Sequence, residues 1–381
     1  MRHIVMVAAP VHPVPPKHGA AVEWWMYQVG RRLTQFSSDI VCTHAPGYAL
    51  NETVERARIH RIQIGRLYRR LFQKITRLDP YSYGQRAARI VREIDAAIVH
   101  VHNAPALFHE LTRSLDTKRH RFVLHMHNEM DIGVPAAGTS LVTCSRSLAQ
   151  WYRARVDLPV EVVTNGVDTQ AFATARAHSE QRQQLGIPAG SKVLLYAGRL
   201  SPEKGPLDLV HAFRELLQRR RDVYLILVGE QRRGDATDAR VRYGNEIQTA
   251  CETMRDRCRL VGAVDPTTMP DYYALADLVV VPSEFEEPFG MVALEAMAAG
   301  APVLAARKGG LTEFIRDGET GFFIHDAKQH VQFARQMDEL LAQPDHLHSV
   351  RDRARDYARA HHDWGEVVRQ IEQVYARVLT P

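Results

Sequence analysis

Two carboxylates, Glu287 and Glu295, stand eight residues apart in Pro282-Ser-Glu-Phe-Glu-Glu-Pro-Phe-Gly-Met-Val-Ala-Leu-Glu-Ala-Met-Ala-Ala-Gly-Ala-Pro-Val303. Pro288 is a residue type favoured in a first helical turn and Met291 to Ala299 is a run of good helix formers, so the spacing predicts Glu287 at the mouth of a helix and Glu295 inside it. At ~1.5 Å of rise per residue, Glu295 lies about 7–10 Å beyond the mouth. The free N–H groups and positive dipole end of such a mouth favour an anion. Hydroxyls at each carboxylate with an anion between them describe a sugar nucleotide: hexose at one end, diphosphate in the middle, ribose at the other.

Cations are placed to match. Arg199 and Lys204 lie in Gly198-Arg-Leu-Ser-Pro-Glu-Lys-Gly205, a turn after a strand, where fixed positive charge would stabilise a leaving diphosphate more in the transition state than in the ground state. Gly19, in Pro15-Pro-Lys-His-Gly-Ala-Ala21, follows the first strand and can offer a bare amide to the same phosphates, with His18 beside it. His127 ends the strand Arg121-Phe-Val-Leu-His-Met-His-Asn128 and shares a strand face with His125. His100 and His102, in Ile98-Val-His-Val-His-Asn103, read as structural. The chain has no Asp-x-Asp pair to hold a divalent ion on a diphosphate, and Cys42, Cys144, Cys251 and Cys258 are scattered without C-x-x-C spacing. Neither a metal, a cofactor nor a disulfide framework is expected.

Positioning these groups is the task of an α/β chain. Its 381 residues are about twice a common domain length. Short β-rich runs alternate with helical stretches: strands at 3–9, 97–101 and 122–126 with helices at 20–36 and 80–93, then a restart at 192–197 with helix 206–219, strand 223–228, helix 244–257, strands 259–262 and 277–281, helix 290–299 and strand 302–306. Such alternation predicts doubly wound parallel sheets, and the restart predicts two of them, with ligands at the carboxyl ends of the strands in a cleft between facing domains. The expected division is 1–168 and 169–360, with a helix over 361–381 returning to the first domain. No apolar run approaches the ~20 residues of a bilayer span, and the N-terminal run before Pro10 reads as a buried strand rather than a signal peptide, so a cytoplasmic protein is expected.

Charge is uneven. Residues 1–173 hold 22 Lys and Arg against 14 Asp and Glu, whereas the remainder holds 27 against 30. The excess concentrates in Arg61–Leu78, which contains six basic residues and no acid. Ile64, Leu67, Leu71, Phe72, Ile75 and Leu78 recur there at helical spacing, predicting an amphipathic basic helix that either touches an anionic membrane or packs on its own domain. No recognition motif accompanies it, so nucleic acid is not an expected partner.

The segment from Pro282 resembles the signature of the retaining nucleotide-sugar glycosyltransferases of GT-B fold, glycosyltransferase family 4. Gly198 to Gly205, Thr164-Asn-Gly-Val-Asp168, Gly309-Gly-Leu-Thr-Glu313 and Asp317-Gly-Glu-Thr-Gly-Phe322 resemble further stretches of that family in its own order. The resemblance implies two Rossmann-like domains facing a central cleft and transfer of a hexose-type sugar, from a UDP- or GDP-linked donor, to a hydroxyl of a glycan or glycolipid such as lipopolysaccharide core or exopolysaccharide. It implies that Glu287 holds sugar hydroxyls and Glu295 the ribose. Arg199 and Lys204 would hold the diphosphate, His127 would line the sugar pocket, and Gly19, Gly198, Gly229, Gly262, Phe289, Gly290, Met291 and Val292 would border the donor. The family's first loop usually carries Gly-Gly, and His18 stands in the first glycine's place. An epimerase of the same fold and a non-catalytic sugar-nucleotide-binding subunit are the alternatives; a dinucleotide oxidoreductase would need Gly-x-Gly-x-x-Gly in a first βα turn, which is absent.

Overall fold

Ile4-Val-Met-Val7, Val193-Leu-Leu-Tyr-Ala197 and Val223-Tyr-Leu-Ile-Leu-Val228 are apolar without alternation and buried throughout, the pattern of central strands covered on both faces. The computed structural model describes residues 1–17, 19–76, 78–175, 179–231, 234 and 237–380, so His18 and Arg77 lie outside the described residues. It divides into two units, Met1–Gly166 with Trp364–Pro381, and Val167–Asp363.

The first unit's sheet contains β1 (His3–Val7), β2 (Ser37–Thr43), β3 (Asn51–Val54), β4 (Ala57–Ile62), β5 (Ile98–His102), β6 (Arg121–Met126), β7 (Ser140–Thr143) and β8 (Val160–Val162). Their order is β3-β4-β2-β1-β5-β6-β7-β8, parallel except for the β3–β4 hairpin. The second unit's sheet contains β9 (Lys192–Ala197), β10 (Val223–Val228), β11 (Cys258–Gly262), β12 (Leu278–Val281), β13 (Val303–Ala305) and β14 (Phe322–Phe323), in the order β11-β10-β9-β12-β13-β14. Strand order reverses direction at β1/β5 and at β9/β12, and ligands of open α/β sheets gather beyond the carboxyl ends at such points. In the second unit the segments leaving those ends are Gly198–Gly205 and Pro282–Gly290.

The first half departs most from its sequence reading. Strands β2, β4, β7 and β8 were not legible, because β2 and β4 carry polar groups inward. Asp39 is fully buried and is bonded by Arg58 Nη2 and His60 Nε2, each at 2.8 Å. Arg61 belongs to β4 and not to a basic helix: its guanidinium is buried, donates to the Val14 and Ala49 carbonyls and pairs with Glu52 at 2.6 Å. The helical stretch begins at Arg66, with a short α-turn to Tyr68 followed by π-helical Arg69–Thr76. Leu67, Leu71 and Ile75 on it, and Leu78 just beyond it, are exposed by 79, 44, 64 and 75%, so the packing of these four on their own unit did not materialise.

The helix expected over 20–36 stops at Gly30, and the chain turns to enter β2. The turn is held by Glu372, buried on the helix Trp364–Leu379, whose carboxylate accepts from the Thr34 and Gln35 amides at 2.6 and 2.7 Å. The helix expected over 361–381 is Trp364–Leu379; it follows the helix Pro344–His362 after a break at Asp363, which is extended and whose carboxylate accepts from the Thr169 hydroxyl at 2.6 Å. Trp364, Val367, Ile371, Val374 and Tyr375 join the core made by Trp25, Met26, Ile98 and Val123, each buried aliphatic side chain contributing roughly 1.5–3 kcal/mol. Glu372→Ala would take the buried carboxylate acceptor from the amides of Thr34 and Gln35, both exposed residues, and should lower the unfolding free energy by about 1–2 kcal/mol, read as an earlier urea midpoint. A loss below about 0.5 kcal/mol would show that water serves those amides equally well.

Candidate functional site

The loop after β9 and the loop after β12 meet through bare backbone. Gly205 is left-handed (φ 67°), and a Cβ there would overlap the Pro282 carbonyl, so only glycine lets the two segments lie this close. That approach carries Lys204 across to Glu287. Lys204 Nζ lies 2.7 and 3.0 Å from the two carboxylate oxygens of Glu287 and 4.7 Å from the centre of the Phe285 ring. Ser283 Oγ donates to the same carboxylate at 2.5 Å, and Glu287 is 5% exposed. Arg199 points outward with a 67% exposed side chain and meets only the edge of Glu203 at 3.6 Å.

The helix Met291–Ala299 begins as its residue types require. Gly290 takes a left-handed conformation (φ 104°) as its N-cap without any side-chain cap, so the first amides, of Met291 and Val292, are presented by backbone alone. Leu311 and Phe314 close behind Gly290, where a Cβ would strike Leu311. Phe289 is 3% exposed and packs on Phe314 and His362 at ring distances of 5.3 and 5.6 Å. The Gly309–Glu313 turn is stitched to this mouth: the Gly309 amide donates to Glu286 Oε2 at 2.5 Å and the Gly310 amide to the Glu287 carbonyl at 2.7 Å.

Glu295 sits one helical turn inside, half-buried, and accepts from the Tyr273 hydroxyl at 2.8 Å. Burial pushes its carboxyl up to about 7 against the opposing effect of that hydrogen bond. Gly229 and Gly262 end β10 and β11, the Gly229 amide donating to the Gly262 carbonyl at 2.9 Å. Both line a cavity of about 990 Å³ with Glu230, Gln231, Leu260 and Ala263. A second cavity, of about 290 Å³, is lined by Arg199, Ser201, Glu203, Glu230 and Arg240.

The second unit thus brings together Gly198, Arg199, Lys204, Glu287, Phe289, Gly290, Met291, Val292 and Glu295, with Gly229 and Gly262 at neighbouring strand ends. Ser283 and Tyr273, which hold the two carboxylates, escaped the sequence reading. Ser283 stood inside the quoted segment without a local sign of its partner, and Tyr273 lies 22 residues upstream of Glu295 on another helix.

Gly19 and His127 belong to the first unit. Gly19 is exposed with open space around its Cα. His127 follows β6, its amide donating to Asn103 Oδ1 at 3.1 Å. Burial pulls its imidazolium down to about 3, so it is neutral at ordinary pH. Its ring stacks on His125 at 4.2 Å, and its Nε2 lies 3.4 Å from His102 Nδ1.

The family model described as glycosyl transferases group 1 matches residues 178–360, the span that holds the loops after β9 and β12. A lipopolysaccharide 1,2-N-acetylglucosaminetransferase of Salmonella typhimurium is 33% identical over 381 residues, covering 98% of each chain. Among solved structures, sucrose-phosphate synthase from Thermosynechococcus elongatus superposes with a TM-score of 0.79 at 22% identity over 99% of both chains. The Anabaena protein HepE, solved with UDP and glucose, superposes with a TM-score of 0.73 at 20% identity over 99% of this chain and all of that one. The neighbours share the pair of Rossmann-like units, and the Salmonella enzyme shares the sequence from end to end. With the loops at the β9/β12 reversal carrying the motif residues, the chain belongs to the glycosyl transferases group 1, enzymes of GT-B fold.

Proposed function

We propose that this protein transfers a hexose-type sugar, with retention at the anomeric carbon, from a nucleoside-diphosphate donor to a hydroxyl of a bacterial envelope glycan such as lipopolysaccharide core. The observation that carries the reading is the pairing of half-buried Lys204 with buried Glu287 at a helix mouth whose first amides have no side-chain cap. The printed activity of the Salmonella relative makes UDP-N-acetylglucosamine the first donor to try, and the ligands of HepE favour a uridine nucleotide.

The chemistry follows from what Glu287 is already doing. Its carboxylate is tied to Lys204 and Ser283 and is suited to receiving sugar hydroxyls rather than attacking C1. Retention then proceeds on one face of the sugar: the bond from C1 to the diphosphate oxygen breaks, the acceptor oxygen bonds to C1 on the same side, and the acceptor's proton passes to the departing phosphate. Charge grows on that phosphate, where Arg199, Lys204 and the Met291 and Val292 amides oppose it without a divalent metal. Glu295 takes the ribose hydroxyls, and the neutral His127 accepts or donates a single hydrogen bond to the sugar.

No helix among the described residues is long and apolar enough to cross a membrane. The exposed Leu67, Leu71, Ile75 and Leu78, interleaved with Arg66, Arg69, Arg70 and Lys74, instead fit a surface contact with anionic lipid on the cytoplasmic face, where a lipid-linked acceptor would be met.

Lys204→Ala and Arg199→Ala should each lower kcat by about 100-fold or more in folded protein, and turnover should be indifferent to Mg²⁺ and Mn²⁺, added or chelated. A rate that rises with either ion while both variants stay active would move the phosphate charge from these side chains to a metal. Because hydroxyls donate to the ionised form of Glu295, donor binding releases its proton. Affinity should therefore climb as pH rises through about 7 and level off above it, and Glu295→Gln should bind more weakly with no such slope; calorimetry from pH 5.5 to 8.5 reads both. The protein should sediment with anionic but not neutral vesicles and be released by high salt, each basic residue near the surface contributing about 1 kcal/mol. Replacing Arg66, Arg69, Arg70 and Lys74 by Gln should abolish sedimentation and leave donor affinity intact; equal behaviour of both proteins would leave a soluble acceptor.

A further inference from the structure

Three imidazoles lie against one another in the core of the first unit, and sugar transfer has no use for them. His100 and His102 alternate along β5, and His125 pairs with His102 in the parallel register of β5 and β6, so all three project from one face of the sheet. Each is fully buried, with ring centres 4.0, 5.4 and 5.1 Å apart for the pairs 100–102, 100–125 and 102–125. Trp25 covers the group, its ring 4.9 Å from that of His125. The same layer also holds the apolar Ile98, Val123 and Val142, with His127 and the Tyr375 hydroxyl beside the three rings.

Nε2 of His100, Nε2 of His102 and both ring nitrogens of His125 find no hydrogen-bond partner among the described residues. Buried polar atoms nearly always have one, and four orphans on three adjacent rings is a large departure. The nitrogens that do have partners are arranged to leave lone pairs facing the cluster. His100 Nδ1 lies 2.7 Å from the Tyr375 hydroxyl and His102 Nδ1 3.4 Å from His127 Nε2. When each Nδ1 carries its ring's proton and donates it to that partner, Nε2 is left unprotonated, the arrangement in which metal-bound histidines are held from behind. One nitrogen from each ring lies within 4.8 Å of the other two.

We propose that His100, His102 and His125 together bind a divalent transition-metal ion of the zinc class, one nitrogen each, as a structural clamp between β5 and β6. A donor set of imidazoles alone selects zinc, copper, nickel or cobalt over magnesium and calcium, which demand oxygen. Zinc–nitrogen bonds of ~2.1 Å at tetrahedral angles place ligand atoms about 3.4 Å apart, a closure that ring rotation supplies. Burial keeps all three rings neutral, the form that coordinates. The site lies wholly within the first unit and leaves the phosphate charge to Arg199 and Lys204.

The test uses the full chain, stripped by dialysis against a chelator and titrated with Zn²⁺ in competition with a chromophoric chelator, and separately with Co²⁺ followed by visible absorption. The expected result is one equivalent of Zn²⁺ bound with submicromolar affinity and intense Co²⁺ bands of a four- or five-coordinate ion. His125→Phe and His100→Phe, which keep ring volume in the apolar layer, should each weaken that equivalent at least 100-fold while His330→Ala does not. Should the Phe variants fail to fold, the wild-type cobalt spectrum decides alone, because weak octahedral bands would place the ion among exposed side chains and overturn the proposal. Absence of a tight equivalent in stripped wild type, or one that survives in both folded variants, overturns it equally.

Discussion

The candidate site of the second unit depends on a backbone contact with no side chain in it: the carbonyl of Pro282 lying where a Cβ of Gly205 would be. Because those two loops touch, the ammonium of Lys204, itself partly exposed, reaches a buried carboxylate 83 residues away. An ion pair so buried returns its full value only when geometry and extra hydrogen bonds are good, and here Ser283 and the Phe285 ring supply them. The pair fixes Glu287 without neutralising its capacity to accept further donors, and it leaves Arg199 turned outward. One loop thus delivers a fixed charge and a movable one to the same end of the sheet.

Glu287 and Glu295 show how one residue type takes two characters from its surroundings. Glu287 faces a cation and a hydroxyl. Glu295 has only the Tyr273 hydroxyl in a helix flanked by alanine, methionine and leucine, and burial raises its affinity for a proton. The first is held in place by its partners, whereas the second is poised between charge states near neutrality.

Much of this was legible in the chain. Five of the second unit's six strands, β9 to β13, and the helix after Gly290 stand where the alternation of apolar runs and helix formers put them, because parallel central strands leave a strong signal, whereas the two-residue β14 was too short to leave one. The candidate residues of that unit converge because their motif segments all leave carboxyl ends of strands. What stayed hidden was polar or distant. Asp39 and Arg61 occupy strands and are satisfied by partners from other strands and loops, so the local sequence reads as surface. Tyr273 serves Glu295 from another helix. The basic stretch after β4 kept its apolar repeat, but its first arginine was claimed by the sheet, and nothing in the spacing marks where strand ends and helix begins.

The helix Trp364–Leu379 completes the core of the first unit after the whole of the second has been threaded between. On the ribosome this inverts the usual order. The segment Val167–Asp363 is contiguous and can close its own sheet while translation continues, but the earlier-made strands must wait until the helix Trp364–Leu379 has cleared the exit tunnel. Until then Trp25, Ile98 and Val123 lack their cover, so the nascent N-terminal half is the natural client for a chaperone that shields apolar surface, and slow translation of that helix would extend the exposure.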